Sequence, residues 1–177
     1  MKQKLIILFT ITLFVLNLQA QELKNSLTIE LGGGGLAYSI NYENLIKQKF
    51  VARAGFSYLL IMENQTEKTL NVITIPLSIS YLQNIKSNKH FIEMGIGTMD
   101  LITDGDLVEY NRVTNIFINP YLIAGYRYRP IDKKWTFKIS LTPFYGTKSL
   151  TNPTDQGFMP LGNKIQMWGT IGIGYNF

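Results

Sequence analysis

The chain has 177 residues, with 17 lysines and arginines against 12 aspartates and glutamates, one histidine and no cysteine. That length suits one domain, and a charge so modest and dispersed gives no ground for a nucleic-acid partner. The missing thiols exclude disulfides, a lipid-linked cysteine and a thiol nucleophile, and a lone histidine is a poor start for a zinc site.

Residues 1–20 predict a secretory signal peptide. Lys2 and Lys4 precede an apolar run over residues 5–16, and Ala20 supplies a small residue for cleavage before Gln21. The run is too short to span a bilayer as a helix, which takes ~20 residues. The predicted mature domain, residues 21–177, carries 15 basic against 12 acidic residues. No later apolar run reaches the ~18 residues of a transmembrane helix.

The mature chain divides into eight alternating segments: 25–33, 36–46, 49–62, 69–82, 90–101, 115–128, 134–146 and 164–177. In the second, Leu36, Tyr38, Ile40 and Tyr42 alternate with Ala37, Ser39, Asn41 and Glu43. In the fourth, Ile73, Ile75, Leu77, Ile79 and Tyr81 alternate with Thr74, Pro76, Ser78 and Ser80. The last places Ile165, Met167, Gly169, Ile171, Ile173, Tyr175 and Phe177 on one face, and small or polar residues on the other. A period of two is the period of a strand. Strands of about ten residues, apolar on one face only, are the units of transmembrane β-barrels. An open edge in lipid would leave backbone groups unpaired, so the sheet must close. The predicted fold is therefore all-β: a closed antiparallel eight-stranded transmembrane β-barrel, wound as an up-and-down meander.

The aromatic residues Tyr42, Phe50, Tyr81, Tyr126, Tyr128, Trp135 and Tyr175 fall on the apolar face near short connections, as an interfacial girdle does. Short links at 47–49, 85–89 and 130–133 alternate with long ones at 63–69, 103–114 and 147–163. In membrane barrels the short turns face the periplasm and the long loops face outward. The four glycines at 32–35 break this rule, as a sharp bend or bulge would. They make no phosphate loop, because no Lys-Ser/Thr pair or helix pattern follows.

Continuing the alternation sends Glu30, Glu43, Arg53, Glu93, Arg127, Arg129, Lys138 and Lys164 inward. Lipid would charge about 2–4 kcal/mol for each outward Arg or Lys at its midplane. An eight-stranded barrel has room inside for side chains but hardly for a channel. Glu30, Glu43, Arg53, Glu93, Arg127 and Lys138 are accordingly expected to pair as a polar network filling the lumen.

The segments at 74–81, 123–128 and 141–145, with the terminal Gly172-Ile173-Gly174-Tyr175-Asn176-Phe177, resemble the small outer-membrane β-barrels of Gram-negative bacteria. That superfamily includes the OmpA transmembrane domain and OmpX. The resemblance implies the outer membrane as location, contact with membrane lipid including lipopolysaccharide, and a monomer without cofactor. It also implies that the outer-membrane assembly machinery reads Tyr175 and Phe177. No wall-binding domain of the OmpA kind follows the last segment, so a wall tether is not expected.

The function expected is structural or interactive, with the outer loops meeting a partner. The alternatives are a lipid A-modifying enzyme and a narrow pore. The enzyme would need a base beside its nucleophile near the outer leaflet, whereas His90 belongs at the periplasmic end. Asp104, Asp106 and Glu109 in a long loop invite a divalent cation but fall short of an EF-hand pattern. The last loop interleaves Phe158, Met159 and Leu161 with polar residues, and it reads as a recognition loop or a lid. A soluble eight-stranded carrier of apolar ligands also alternates, but with an apolar interior and a charged exterior.

Overall fold

A computed structural model describes residues 24–62, 69–105, 115–130, 133–146 and 165–177. Eight strands follow one another: β1 (Asn25–Gly32), β2 (Tyr38–Ile46), β3 (Phe50–Met62), β4 (Thr69–Lys86), β5 (His90–Gly105), β6 (Asn115–Tyr128), β7 (Trp135–Tyr145) and β8 (Ile165–Asn176). Each pairs antiparallel with the next, and β1 pairs with β8 from Ser26↔Asn176 to Gly32↔Thr170, which closes the barrel. The expected signal segment, residues 63–68, 106–114, 131–132 and 147–163, and Lys164 lie outside the described residues.

Two hairpins at the same end of the barrel use the tight turn that suits twisted strands, in which both central residues have positive φ. Lys47 and Gln48 sit at φ 50° and 56°, and Ser87 and Asn88 at 54° and 50°. The predicted limits shift at both ends: β4 runs on to Lys86 at this end instead of stopping at 82, and β5 runs on to Gly105 at the opposite end instead of 101. The start of β1 and the end of β8 meet at this short-turn end as well, where Asn25 and Phe177 exchange backbone hydrogen bonds of 3.0 and 2.9 Å.

Proline interrupts the ladders because it has no N–H to give. The β3–β4 pairing lapses between Ala54↔Leu77 and Ser57↔Thr74, the stretch that holds Pro76. The β6–β7 pairing lapses between Ala124↔Leu141 and Tyr121↔Phe144, the stretch that holds Pro143.

The faces of the strands are sorted inside out. Leu27, Ile40, Ile96, Leu122, Ile139 and Ile171 point outward with 49–64% of their surface exposed, while Glu43, Glu93 and Arg127 are at most 1% exposed. The interior is layered along the axis. Near the short turns Val51, Leu82 and Phe91 cluster with Leu45, and toward the long loops Leu36 packs with Val72, Met99, Leu101, Tyr121, Ile123 and Phe144. The charged residues lie between.

Leu36 departs from its predicted place in the outward phase of the second segment. The short 3-10 turn Gly33–Gly35 folds into the barrel, and Leu36 follows it at φ 64° and is fully buried. Gly34 lies against the Tyr121 ring, where an added Cβ would meet it at 3.1 Å. The glycine run is thus a plug, and the lack of side chains lets its backbone fit among inward residues.

Candidate functional site

The central layer of the interior is built by residues that alternate into it from β1, β2, β3, β5, β6 and β7. Glu43 accepts from Arg53 Nε at 2.8 Å, Arg127 Nη1 at 2.6 Å, Lys138 Nζ at 3.3 Å and the Ser26 hydroxyl at 3.2 Å. Glu93 accepts from Arg53 Nη2 at 3.0 Å, Arg127 Nε at 2.9 Å and the Ser80 hydroxyl at 2.7 Å. Glu30 pairs with Lys138 Nζ and lies 3.5 Å from Arg53 Nε.

Three carboxylates and three cations therefore share one buried layer, and each side chain has at least two oppositely charged neighbours. Removing so many charges from water is costly unless geometry and hydrogen bonding offset it. The guanidinium forks meet that need, because Arg53 and Arg127 each span two carboxylates. Small neighbours make room: Gly172 lies where an added Cβ would meet Lys138 Cε at 2.9 Å and Glu30 Cγ at 3.2 Å.

All six residues expected in the lumen network are brought together in this layer. Arg129 also points inward and is 4% exposed. It follows β6 at the short-turn end, where burial and then the Arg127 guanidinium lower it to about 10, so it remains cationic at neutral pH. The hydroxyls of Ser26 and Ser80 were missed as members of the network, although their inward phase was legible.

The remaining candidates are scattered. Tyr175 is exposed on the outside of β8, edge-on to Trp135 at 5.5 Å, with Lys134 Nζ 5.6 Å from its ring centre. Phe177 lies 6.4 Å from Tyr42 between ring centres. His90 opens β5 at the short-turn end, with Nδ1 2.5 Å from the Tyr126 hydroxyl and its ring 5.2 Å from that of Tyr128. Asp104 belongs to β5, opposite Asn71, instead of to a loop. Asp106, Glu109, Phe158, Met159 and Leu161 lie outside the described residues, and among the described residues no cluster of three metal-ligating side chains occurs.

Such a layer can hold the barrel's interior together by charge; its groups are engaged with one another. Comparison with protein families, with curated proteins and with solved structures finds no match to this chain.

Proposed function

We propose that this chain is an integral outer-membrane β-barrel of the Gram-negative envelope, of the OmpA transmembrane-domain and OmpX kind, with a structural or interaction role. The observation that carries this reading is the inversion of the faces: large apolar side chains ring the outside and the charges are inside. Soluble monomers rarely expose contiguous apolar patches of more than a few hundred Å², and a soluble carrier of apolar ligands would show the reverse sorting.

The outer face adds a scale. Tyr42, Phe50, Tyr126, Trp135 and Tyr175 lie exposed toward the short-turn end, with Tyr81 half-buried beside Phe50, and Tyr38, Tyr58 and Tyr145 lie exposed toward the other. Trp135 and Tyr145 stand at the two ends of β7, which has 11 residues. A strand crossing a bilayer needs ~9–11. Asp100, half-buried and as far along β5 as Tyr145 is along β7, falls at the limit of that band.

On this reading the short turns face the periplasm and the long loops meet the outside partner. The plug at Leu36 and the charged layer support a filled interior over a narrow pore. His90, beside Tyr126 and Tyr128 at the periplasmic end, is badly placed for chemistry on the outer leaflet, which weighs against a lipid A enzyme. Expression of the full chain followed by membrane fractionation and boiled-versus-unboiled gel migration tests the proposal. Recovery in the outer-membrane fraction with a heat-dependent shift is expected; recovery as a soluble protein without a shift would overturn it.

A further inference from the structure

Three links close the short-turn end of the barrel, and each carries two lysines: Lys47 and Lys49 between β2 and β3, Lys86 and Lys89 at the β4–β5 turn, and Lys133 and Lys134 between β6 and β7. All are exposed except Lys89, which is half-buried. Each link is tied to a strand beyond it. The Lys49 carbonyl accepts from the Leu82 N–H at 2.6 Å, that of Lys89 from the Arg129 N–H at 2.8 Å, and that of Lys134 from the Asn176 N–H at 2.5 Å. The lysines therefore stand around the circumference of the barrel and not on one side of it.

The charge of this collar is in excess whatever the nearby acids do. Lys24 and Arg129, at the same end, have interactions of their own and are left out of the count. Glu30, Glu43 and Glu93 are matched in the central layer by Arg53, Arg127 and Lys138. Glu22 and Asp132, the acids near this end in sequence, lie outside the described residues. Were both to pair with link lysines, together with a carboxylate at Phe177, three of the six lysines would remain. The other acids fall in the far half of β5 or in the long links of the opposite end. Apolar side chains stand among the lysines as well. Ile46 and Phe50 flank Lys47 and Lys49, Ile85 precedes Lys86, and Trp135 follows Lys134, each with 41–54% of its surface exposed. Lys134 Nζ lies 5.6 Å from the centre of the Tyr175 ring. Cations set among apolar and aromatic groups suit the boundary between acyl chains and headgroups, where lysine stems lie along apolar surface and their heads reach the polar layer.

We propose that this collar is a docking surface for anionic phospholipid headgroups in the leaflet on the short-turn side. The inference rests on the membrane reading above and deepens it. An acidic soluble protein would meet one patch of lysines, whereas a leaflet surrounds the barrel and meets all three links. Lysines near an anionic membrane surface are attracted to it over a Debye length. The apolar neighbours Ile46, Phe50, Ile85 and Trp135 hold the collar at the depth where those headgroups begin.

The test uses the full chain refolded into phosphatidylcholine vesicles with a trace of spin-labelled phosphatidylglycerol or spin-labelled phosphatidylcholine. Electron spin resonance reads the share of each label held motionally restricted by the protein. Phosphatidylglycerol should be favoured about twofold or more at low salt. The preference should vanish in about 1 M sodium chloride, where the Debye length is ~3 Å. It should vanish too in the variant that combines Lys47→Gln, Lys49→Gln, Lys86→Gln, Lys89→Gln, Lys133→Gln and Lys134→Gln. Equal affinity for the two labels in the inserted parent would overturn the proposal, leave the membrane reading standing and turn the search to an acidic soluble partner. Failure to insert, seen as no heat-dependent gel shift, would overturn both. A preference that survives high salt, or persists in the inserted variant, would overturn the proposal as well; if the variant does not insert, the salt result decides.

Discussion

Arg127 and Glu43, 84 residues apart in the chain, meet inside the barrel in a two-pronged contact, Nη1 to Oε2 at 2.6 Å and Nη2 to Oε1 at 3.2 Å. Removing either partner leaves an unmatched charge in a layer that was balanced. Breaking a buried pair costs about 3–5 kcal/mol, so Glu43→Gln and Arg127→Met should each lose stability of that order in urea unfolding from lipid vesicles. The double variant leaves Arg53 and Lys138 against Glu30 and Glu93, balanced again, and should lose clearly less than the sum. Ser80→Ala removes only the hydroxyl that donates to Glu93 at 2.7 Å. It should cost less than either single charge variant.

The outside of the barrel gives a prediction whose sign separates two solvents. Ile96 is 61% exposed on β5. In water, Ile96→Arg would be neutral or helpful, whereas at the midplane of a bilayer an outward Arg costs about 2–4 kcal/mol. Loss of stability in vesicles is expected. An unchanged or raised stability there would place the face in water.

Two glycines of the barrel should respond unequally to the same added methyl group. At Gly95 a Cβ would fall 2.5 Å from Ser80 Cβ and 2.7 Å from the Ile79 carbonyl oxygen, which is backbone and cannot move aside. At Gly169 nothing lies within 4 Å. Gly95→Ala should therefore destabilise by about 1–3 kcal/mol, as overpacking does, and Gly169→Ala should stay within about 0.5 kcal/mol of the parent. Denaturation midpoints measured side by side check the contrast.

Phe177→Ala keeps the backbone hydrogen bonds to Asn25 and removes the terminal ring. If the ring serves chiefly as an assembly signal, the amount inserted in cells should fall while refolding in detergent proceeds as before. Normal insertion in cells with failed refolding would assign the ring to stability.

The eight strands and the faces of the side chains that form the lumen network were legible because alternation reports phase directly, and phase separates Glu43, Arg53 and Arg127 from Tyr42, Ala52 and Tyr126. Which inward residues meet was not legible. Phase carries no height, and the contact of Arg127 with both Glu43 and Glu93 depends on the relative sliding of strands across the whole ring. The extra length of β4 was hidden because Gln83, Asn84 and Lys86 look like turn residues, yet backbone pairing continues to Lys86↔His90; that of β5 was hidden because Thr103, Asp104 and Gly105 look like a loop, yet they pair with Val72, Asn71 and Leu70. Leu36 was misplaced because a glycine run erases the alternation that would have indicated its direction.

The plug also ties the first connection of the barrel to the strands that follow it. Gly33–Gly35 and Leu36 belong to the link between the first two strands, yet they lie against residues of β4, β5, β6 and β7. The seam that shuts the ring is β1 against β8. The buried place of this link is made by residues of four strands that come later in the chain, so its packing is complete only when those strands stand around it, and the first connection reports on the assembly of the whole ring.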